Sequence, residues 1–226
     1  GVPAQTVLPF STGVIGEPLP SDRIVAALAE AAGDLSEDNW ERAAGAILTT
    51  DTRSKLRTGE VELGGQRCRI TGIAKGAGMI CPDLATMLAF VATDVALEQT
   101  LLEALLASAA DASFNRITVD GDTSTNDAVT LSATGYSGVV VEADSPECRE
   151  FSEALTTLMI ALAQDIVRDV FHILRCGVVA AQHEGVATGG EAQVDRGTGR
   201  SAEAKVALQV ETELLGVTGA VDEADN

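Results

Sequence analysis

The apolar positions along this chain switch between two periods. Ile24, Leu28 and Ala31 recur on one helical face, with Ser21 as the candidate cap and Gly33 as the stop. Ser36 opens a second, shorter helix running through Trp40 to about Ala44, and Ile47–Thr50 reads as a short buried strand or turn entry. The period then drops to two. Val61 and Leu63 alternate with Glu60 and Glu62, Gly64-Gly65 supplies a tight turn, and Cys68 and Ile70 alternate with Arg67 and Arg69 on the return, which predicts a β-hairpin. Beyond the loop Lys75–Gly78, Ala85–Thr93 is a mixed apolar run.

The helical period returns twice more. Leu97, Leu101, Leu102, Leu105 and Leu106 share a face. Ser145-Pro146 pairs a cap with a first-turn proline, and Phe151, Leu155, Leu158, Met159, Leu162 and Ile166 continue as a long apolar stripe. Between them, Arg116–Val119 and Gly138–Val141 read as short strands and Asp120–Asp127 as a polar loop. Strands combined with long helices predict an α/β fold in layers. After Asp169 the periodicity weakens: Lys205–Val210 alone resembles a strand, and the acidic end, Val221–Asn226, is expected to be disordered.

With 226 residues, 46% of them hydrophobic, the chain can bury one sizeable core. No uninterrupted apolar stretch is long enough to predict a membrane span, and Gly1–Phe10 lacks the features of a signal peptide, so a cytoplasmic protein is expected. The formal charge of −19 disfavours nucleic acid as a partner. Its lysines are Lys55, Lys75 and Lys205, every other cation being arginine. An ordinary acidic protein is one reading. Lysine depletion favours another, a chain adapted to high salt, where the Debye length of about 3 Å at 1 M screens self-repulsion. Cys68, Cys81, Cys148 and Cys176 are too widely spaced for a zinc site and give no disulfide pattern, so free thiols are expected.

One stretch concentrates candidate chemistry: Lys75-Gly-Ala-Gly-Met-Ile-Cys-Pro-Asp-Leu-Ala-Thr-Met-Leu-Ala-Phe90. A threonine such as Thr86 becomes a nucleophile only beside a base, and most threonines near strands are structural. Asp120, Asp122, Ser124 and Asn126 imitate the start of a calcium loop, but Thr125 stands where the loop needs glycine and Leu131 where it needs glutamate. A hydrogen-bonded turn bracing the site is the better reading, and no metal is expected.

The same stretch resembles the self-processing site of the bifunctional glutamate N-acetyltransferase/ornithine acetyltransferase family, in which the chain cuts itself before a threonine. Here that bond is Ala85–Thr86. Three further segments resemble the family in order: Thr12–Pro20 its oxyanion-hole loop, Thr49-Thr50-Asp51-Thr52 its substrate-contacting threonines, and Phe114–Asp127 the loop downstream of the cut. The resemblance covers residues 1–169. It implies a layered α/β sandwich of mixed sheets flanked by helices. Thr86 would be the nucleophile, Thr12 and Gly13 the oxyanion hole, and Thr49, Lys75 and Thr86 substrate contacts. The substrates implied are N-acetylornithine and glutamate, with no bound cofactor and acetyl-CoA as a second candidate acetyl donor. A heterotetramer of cleaved α and β chains follows from the same likeness, and the lysine-poor composition makes the chain haloarchaeal-like.

The pattern departs after Asp169. The family continues there with Gly-Glu-Gly-Ala-Thr-Lys, whereas this chain reads Val170-Phe171-His172-Ile173-Leu174-Arg175. Residues 1–169 are therefore expected to be an acetyltransferase core fragment, truncated before Gly1. Residues 170–226 are expected to be an atypical tail, out of frame and partly disordered, with His172 and His183 outside the chemistry. Such a fragment is expected to have weak or no acetyltransferase activity. Two other readings stay open, a threonine-nucleophile aminopeptidase of similar fold and a non-enzymatic remnant.

Overall fold

A computed structural model describes residues 3–11, 16–77, 87–117 and 127–183. Ten elements follow in order: α1 (Ser21–Gly33), α2 (Trp40–Ala46), β1 (Lys55–Leu63), β2 (Gln66–Lys75), β3 (Leu88–Thr93), β4 (Ala96–Leu97), α3 (Gln99–Ala112), β5 (Ala128–Ala133), β6 (Val140–Val141) and α4 (Pro146–His183). Short 3-10 turns occupy Ala4–Thr6 and Phe114–Arg116.

The hairpin forms as the alternation predicts and is longer than the alternation itself. β1 pairs antiparallel with β2 from Lys55↔Ala74 to Leu63↔Gln66, and Gly64 and Gly65 both take positive φ, the conformation a two-residue turn requires. β2 then pairs antiparallel with β3, and β3 runs parallel to β5, giving one mixed sheet of order β1-β2-β3-β5. β4 and β6 form a separate parallel pair.

Helices α3 and α4 pack on each other, with α4 lying on β1 and β2 and α3 on β5. Leu102, Leu105, Leu106, Phe151, Leu155, Met159 and Leu162 fill the interface, together with Ile70, Val91, Val129 and Leu131 of the sheet. Burying a large aliphatic side chain contributes about 1.5–3 kcal/mol, so this stripe supplies much of the drive to fold. Close approach depends on Gly72 in the middle of β2. A Cβ there would meet Leu162 Cδ1 at 3.0 Å and Leu158 Cδ2 and Val91 Cγ2 at 3.1 Å. α4 begins as its cap predicts: the Cys148 N–H donates to Ser145 Oγ at 3.0 Å, ahead of Pro146 in the first turn.

The architecture is α/β, a mixed sheet flanked by helices, as expected. Local expectations differ in five places. Ser36 does not open α2: its Oγ accepts from Asp38 N–H and its carbonyl from Asn39 N–H, closing a turn that delays the helix to Trp40. Ser21 is the first residue of α1 rather than its cap, a position taken by Pro20, whereas Ile47–Thr50 follows the turn of its two readings. Leu97 belongs to β4, and Glu98 caps α3 by accepting from the N–H groups of Thr100 and Leu101. Arg116 ends a 3-10 turn, while residues 118 and 119 lie outside the described residues. The strand β5 was not anticipated, because Ala128-Val-Thr-Leu-Ser-Ala133 mixes small residues and is buried on both faces, leaving no alternation to read. The expected change at Asp169 falls inside α4, whose backbone continues to His183; the Lys205–Val210 run and the acidic end lie outside the described residues.

Candidate functional site

The end of β2 and the start of β3 lie side by side, with Lys75 opposite Leu88. Gly76, the next residue, has φ of 144°, a conformation that disfavours side chains, and a Cβ there would lie 3.6 Å from Met87 Cα. The backbone of Met87 is held from the other side as well. Its N–H donates to Asp127 Oδ1 at 2.9 Å, and its carbonyl accepts from Ala128 N–H at 3.1 Å. Residue 87 is thus fixed between the end of β2 and the start of β5.

Beneath this junction lies a buried charge cluster. Lys55 Nζ reaches Asp51 Oδ1 at 2.5 Å and Asp169 Oδ2 at 2.6 Å, with no exposure of the three side chains. Asp51 Oδ1 also accepts from the Gly76 N–H at 2.7 Å, and its Oδ2 from the Thr49 N–H at 3.4 Å. Asp169 accepts from the Thr52 N–H at 3.1 Å and from the Thr52 hydroxyl. A single carboxylate, Asp51, therefore links the threonine segment, the start of β1 and the residue after Lys75. Asp169 pins α4 to the same place. Such satisfaction is required, because an unpaired charge at this depth would cost several kcal/mol.

Lys75 is also fully buried. Burial pushes its pKa below the ordinary lysine value, and the negative charges of Asp51 and Asp127 partly restore it. Asp127 moves the other way: burial raises its pKa, while the Met87 N–H and the Lys75 charge oppose the rise. For Asp169, burial pushes the pKa up, but hydrogen bonds from Lys55 and Thr52 and the Lys55 charge outweigh it and leave the pKa lowered.

Of the residues named from sequence, Thr49 and Lys75 fall in this arrangement, Thr49 exposed and Lys75 enclosed, both tied to Asp51. Thr12, Gly13, Ala85 and Thr86 lie outside the described residues. Their described neighbours are informative. Met87 follows Thr86 directly, and Phe10, two residues before Thr12, sets its ring edge-on to Phe90 of β3 at 5.6 Å. Sequence reasoning did not single out Asp51, Lys55 or Asp169. Lysine scarcity flagged Lys75 and applies equally to Lys55, so that signal was available. Among the described residues Cys68 and Cys148 are free, with burial raising the Cys68 thiol, and no group of three or more His, Cys, Asp or Glu side chains is placed to hold a metal. Among the described residues no helix is long and apolar enough to cross a membrane.

Fold and site together define an α/β protein with a buried lysine–carboxylate cluster where the strands β2, β3 and β5 meet. The sequence profile of the ArgJ family matches residues 1–207. The chain is 53% identical over 167 residues to the arginine biosynthesis bifunctional protein ArgJ of Methylococcus capsulatus, a match covering 74% of this chain and 41% of that protein. The corresponding protein of Psychrobacter arcticus is 51% identical over 171 residues, covering 75% and 42%, and that of Gluconobacter oxydans 52% over 169, covering 74% and 40%. The chain belongs to the ArgJ family. It spans about two-fifths of the length of these curated relatives.

Proposed function

We propose that this chain carries part of an acetyltransferase of arginine biosynthesis, moving acetyl from N-acetylornithine to glutamate through an ester on Thr86. The observation that carries the reading is the identity above one half to proteins named bifunctional in arginine biosynthesis. The enclosed Lys75 beside the backbone that leads into Thr86 supports it.

Two stages follow chemically. In the first, the Thr86 hydroxyl oxygen bonds to the Ala85 carbonyl carbon, the Ala85–Thr86 C–N bond breaks, and the hydroxyl proton passes to the departing nitrogen. Water then opens the ester, leaving a carboxylate on Ala85 and returning the hydroxyl to Thr86. In the second, the new α-amine, with an ordinary pKa of about 7.7–8.0, takes the hydroxyl proton as Thr86 attacks the acetyl carbonyl of N-acetylornithine. Ornithine leaves with that proton, and the glutamate amine accepts the acetyl from the threonine ester. Thr12 and the Gly13 amide are the oxyanion donors in this reading, each worth roughly 2.7–4 kcal/mol in comparable sites. Thr49 and Lys75 hold substrate. No bound cofactor is needed, and acetyl-CoA is a second donor candidate.

The reading extends to a cytoplasmic, salt-adapted protein acting as a heterotetramer of cleaved α and β chains. Activity of the present chain alone is expected to be weak or absent. The tail from Val170 is read as out of frame; translating the other two frames past Asp169 tests this, and absence of Gly-Glu-Gly-Ala-Thr-Lys from both would refute it. Mass spectrometry of the purified chain beside Thr86→Ala tests the central claim. The expected result is a pair of pieces, Gly1–Ala85 and Thr86–Asn226, from the parent only. A parent chain that stays whole removes the reading.

A further inference from the structure

We infer that Asp127 is a positioning residue for Thr86: its carboxylate holds the Met87 amide, and with it the peptide plane on which residue 86 is built. The inference rests on the Thr86 reading above and adds to it a residue and a mode of action.

The physical basis is peptide planarity. The Cα and carbonyl of residue 86 share a rigid plane with the N–H of Met87, so whatever fixes that N–H restricts the nucleophile's main chain. Asp127 Oδ1 accepts this N–H at 2.9 Å. The Met87 carbonyl is taken one residue later by Ala128 N–H at 3.1 Å, and the next pair along, Leu88 and Ala128, is in register. The parallel β3–β5 ladder thus begins with a side chain in place of a main-chain acceptor. Gly76 faces Met87 from the opposite side, where a Cβ would come to ordinary contact distance, 3.6–3.7 Å. Together these contacts leave Met87 little freedom to translate or rotate.

A carboxylate suits this task better than a neutral acceptor, since a charged acceptor makes a bond roughly twice as strong. The position is costly for it: burial raises the Asp127 pKa, and the buried Lys75 charge opposes that rise. Keeping an acid under such a cost is the pattern expected where the group serves a site rather than the core.

The test follows self-cleavage of the full chain from cell-free synthesis by mass spectrometry, with melting temperatures measured in parallel. Misplacing a reacting group by about 1 Å can cost 10²-fold in rate. Asp127→Ala, which removes the acceptor, is expected to cut at least about tenfold more slowly. Asp127→Asn, whose amide oxygen can still accept, is expected within about threefold of the parent. Leu106→Ala, a core truncation in α3 away from the junction, is expected to lower the melting temperature and cut at the parent rate. Should Asp127→Ala cut as fast as the parent, or Asp127→Asn be as slow as Asp127→Ala, the tether is overturned and the proposed function stands. Should the parent stay whole like Thr86→Ala, both fall together. Slowing of Leu106→Ala in step with its melting temperature would assign the Asp127→Ala defect to stability and overturn the inference.

Discussion

Lys55 and Asp169, 114 residues apart in the chain, meet at 2.6 Å with both side chains withdrawn from solvent. This contact fastens α4 to the first strand beside the segment that holds Thr49. Its neighbour in composition, Lys75, is equally enclosed but differently balanced, and the contrast yields the first prediction.

Replacing Lys55 by methionine leaves Asp51 and Asp169 facing each other without their shared cation. Breaking a buried pair on one side costs about 3–5 kcal/mol. Lys75→Met removes a charge that burial already disfavours but also takes its compensation from Asp51 and Asp127, so it is expected to cost less than Lys55→Met without being neutral. Urea denaturation of the two variants measures the difference; equal losses would contradict the assignment.

The lowered Asp169 pKa gives a pH dependence of definite sign. The unfolded chain binds the proton at about pH 3.9, the folded one only below that. The contribution is therefore fully present above about pH 5 and is lost as pH falls below 3.9 through the folded value. The stability gap between the parent and Asp169→Asn should be constant from pH 7 to 5 and shrink in acid. Asp127 acts in the opposite sense. Its raised pKa contributes stability at low pH that is lost as pH rises through the folded value, so Asp127→Asn should compare more favourably with the parent at pH 7 than at pH 4.

Gly72 and Gly59 lie under the same helix with different clearance. A methyl at Gly72 would crowd three side-chain ends at 3.0–3.1 Å, whereas at Gly59 its nearest contact is Leu158 Cδ1 at an ordinary 3.9 Å. Gly72→Ala is expected to destabilise by about 1–3 kcal/mol through overpacking. Gly59→Ala is expected to be neutral or stabilising by up to about 1 kcal/mol through reduced freedom of the unfolded chain. Thermal melts of both variants check the order.

Ser145→Ala removes the acceptor for the Cys148 N–H at the start of α4. The expected loss is about 1 kcal/mol, and Ser145→Asp should recover it. Circular dichroism melts distinguish the three chains.

The sequence was most legible where a residue's role is local. Ser145-Pro146 capping a helix, Gly64-Gly65 turning a hairpin and the leucine stripe of α3 all depend on neighbours within a few positions, so spacing alone carries them. β5 was not legible, because a strand buried on both faces and built from Ala, Ser and Thr has neither alternation nor strong propensity. The cluster was legible by half. Lys75 drew notice through its rarity, but its dependence on Asp51, Asp127 and indirectly Asp169 arises from strand order and from the docking of α4. No one-dimensional signal joins residue 55 to residue 169. Likewise Asp127 was readable as part of a bracing loop, while its hold on Met87 requires β3 and β5 to be neighbours.

Two of the chain's lysines, Lys55 and Lys75, are sealed within the fold, leaving Lys205 and the leading amino group as the other primary amines. An acylating mass tag applied to native material therefore has few places to react. Scission ahead of residue 86 would create one more. Counting tags on the intact protein and its pieces thus turns a scarcity of amines into a direct gauge of whether a fresh chain end has been exposed.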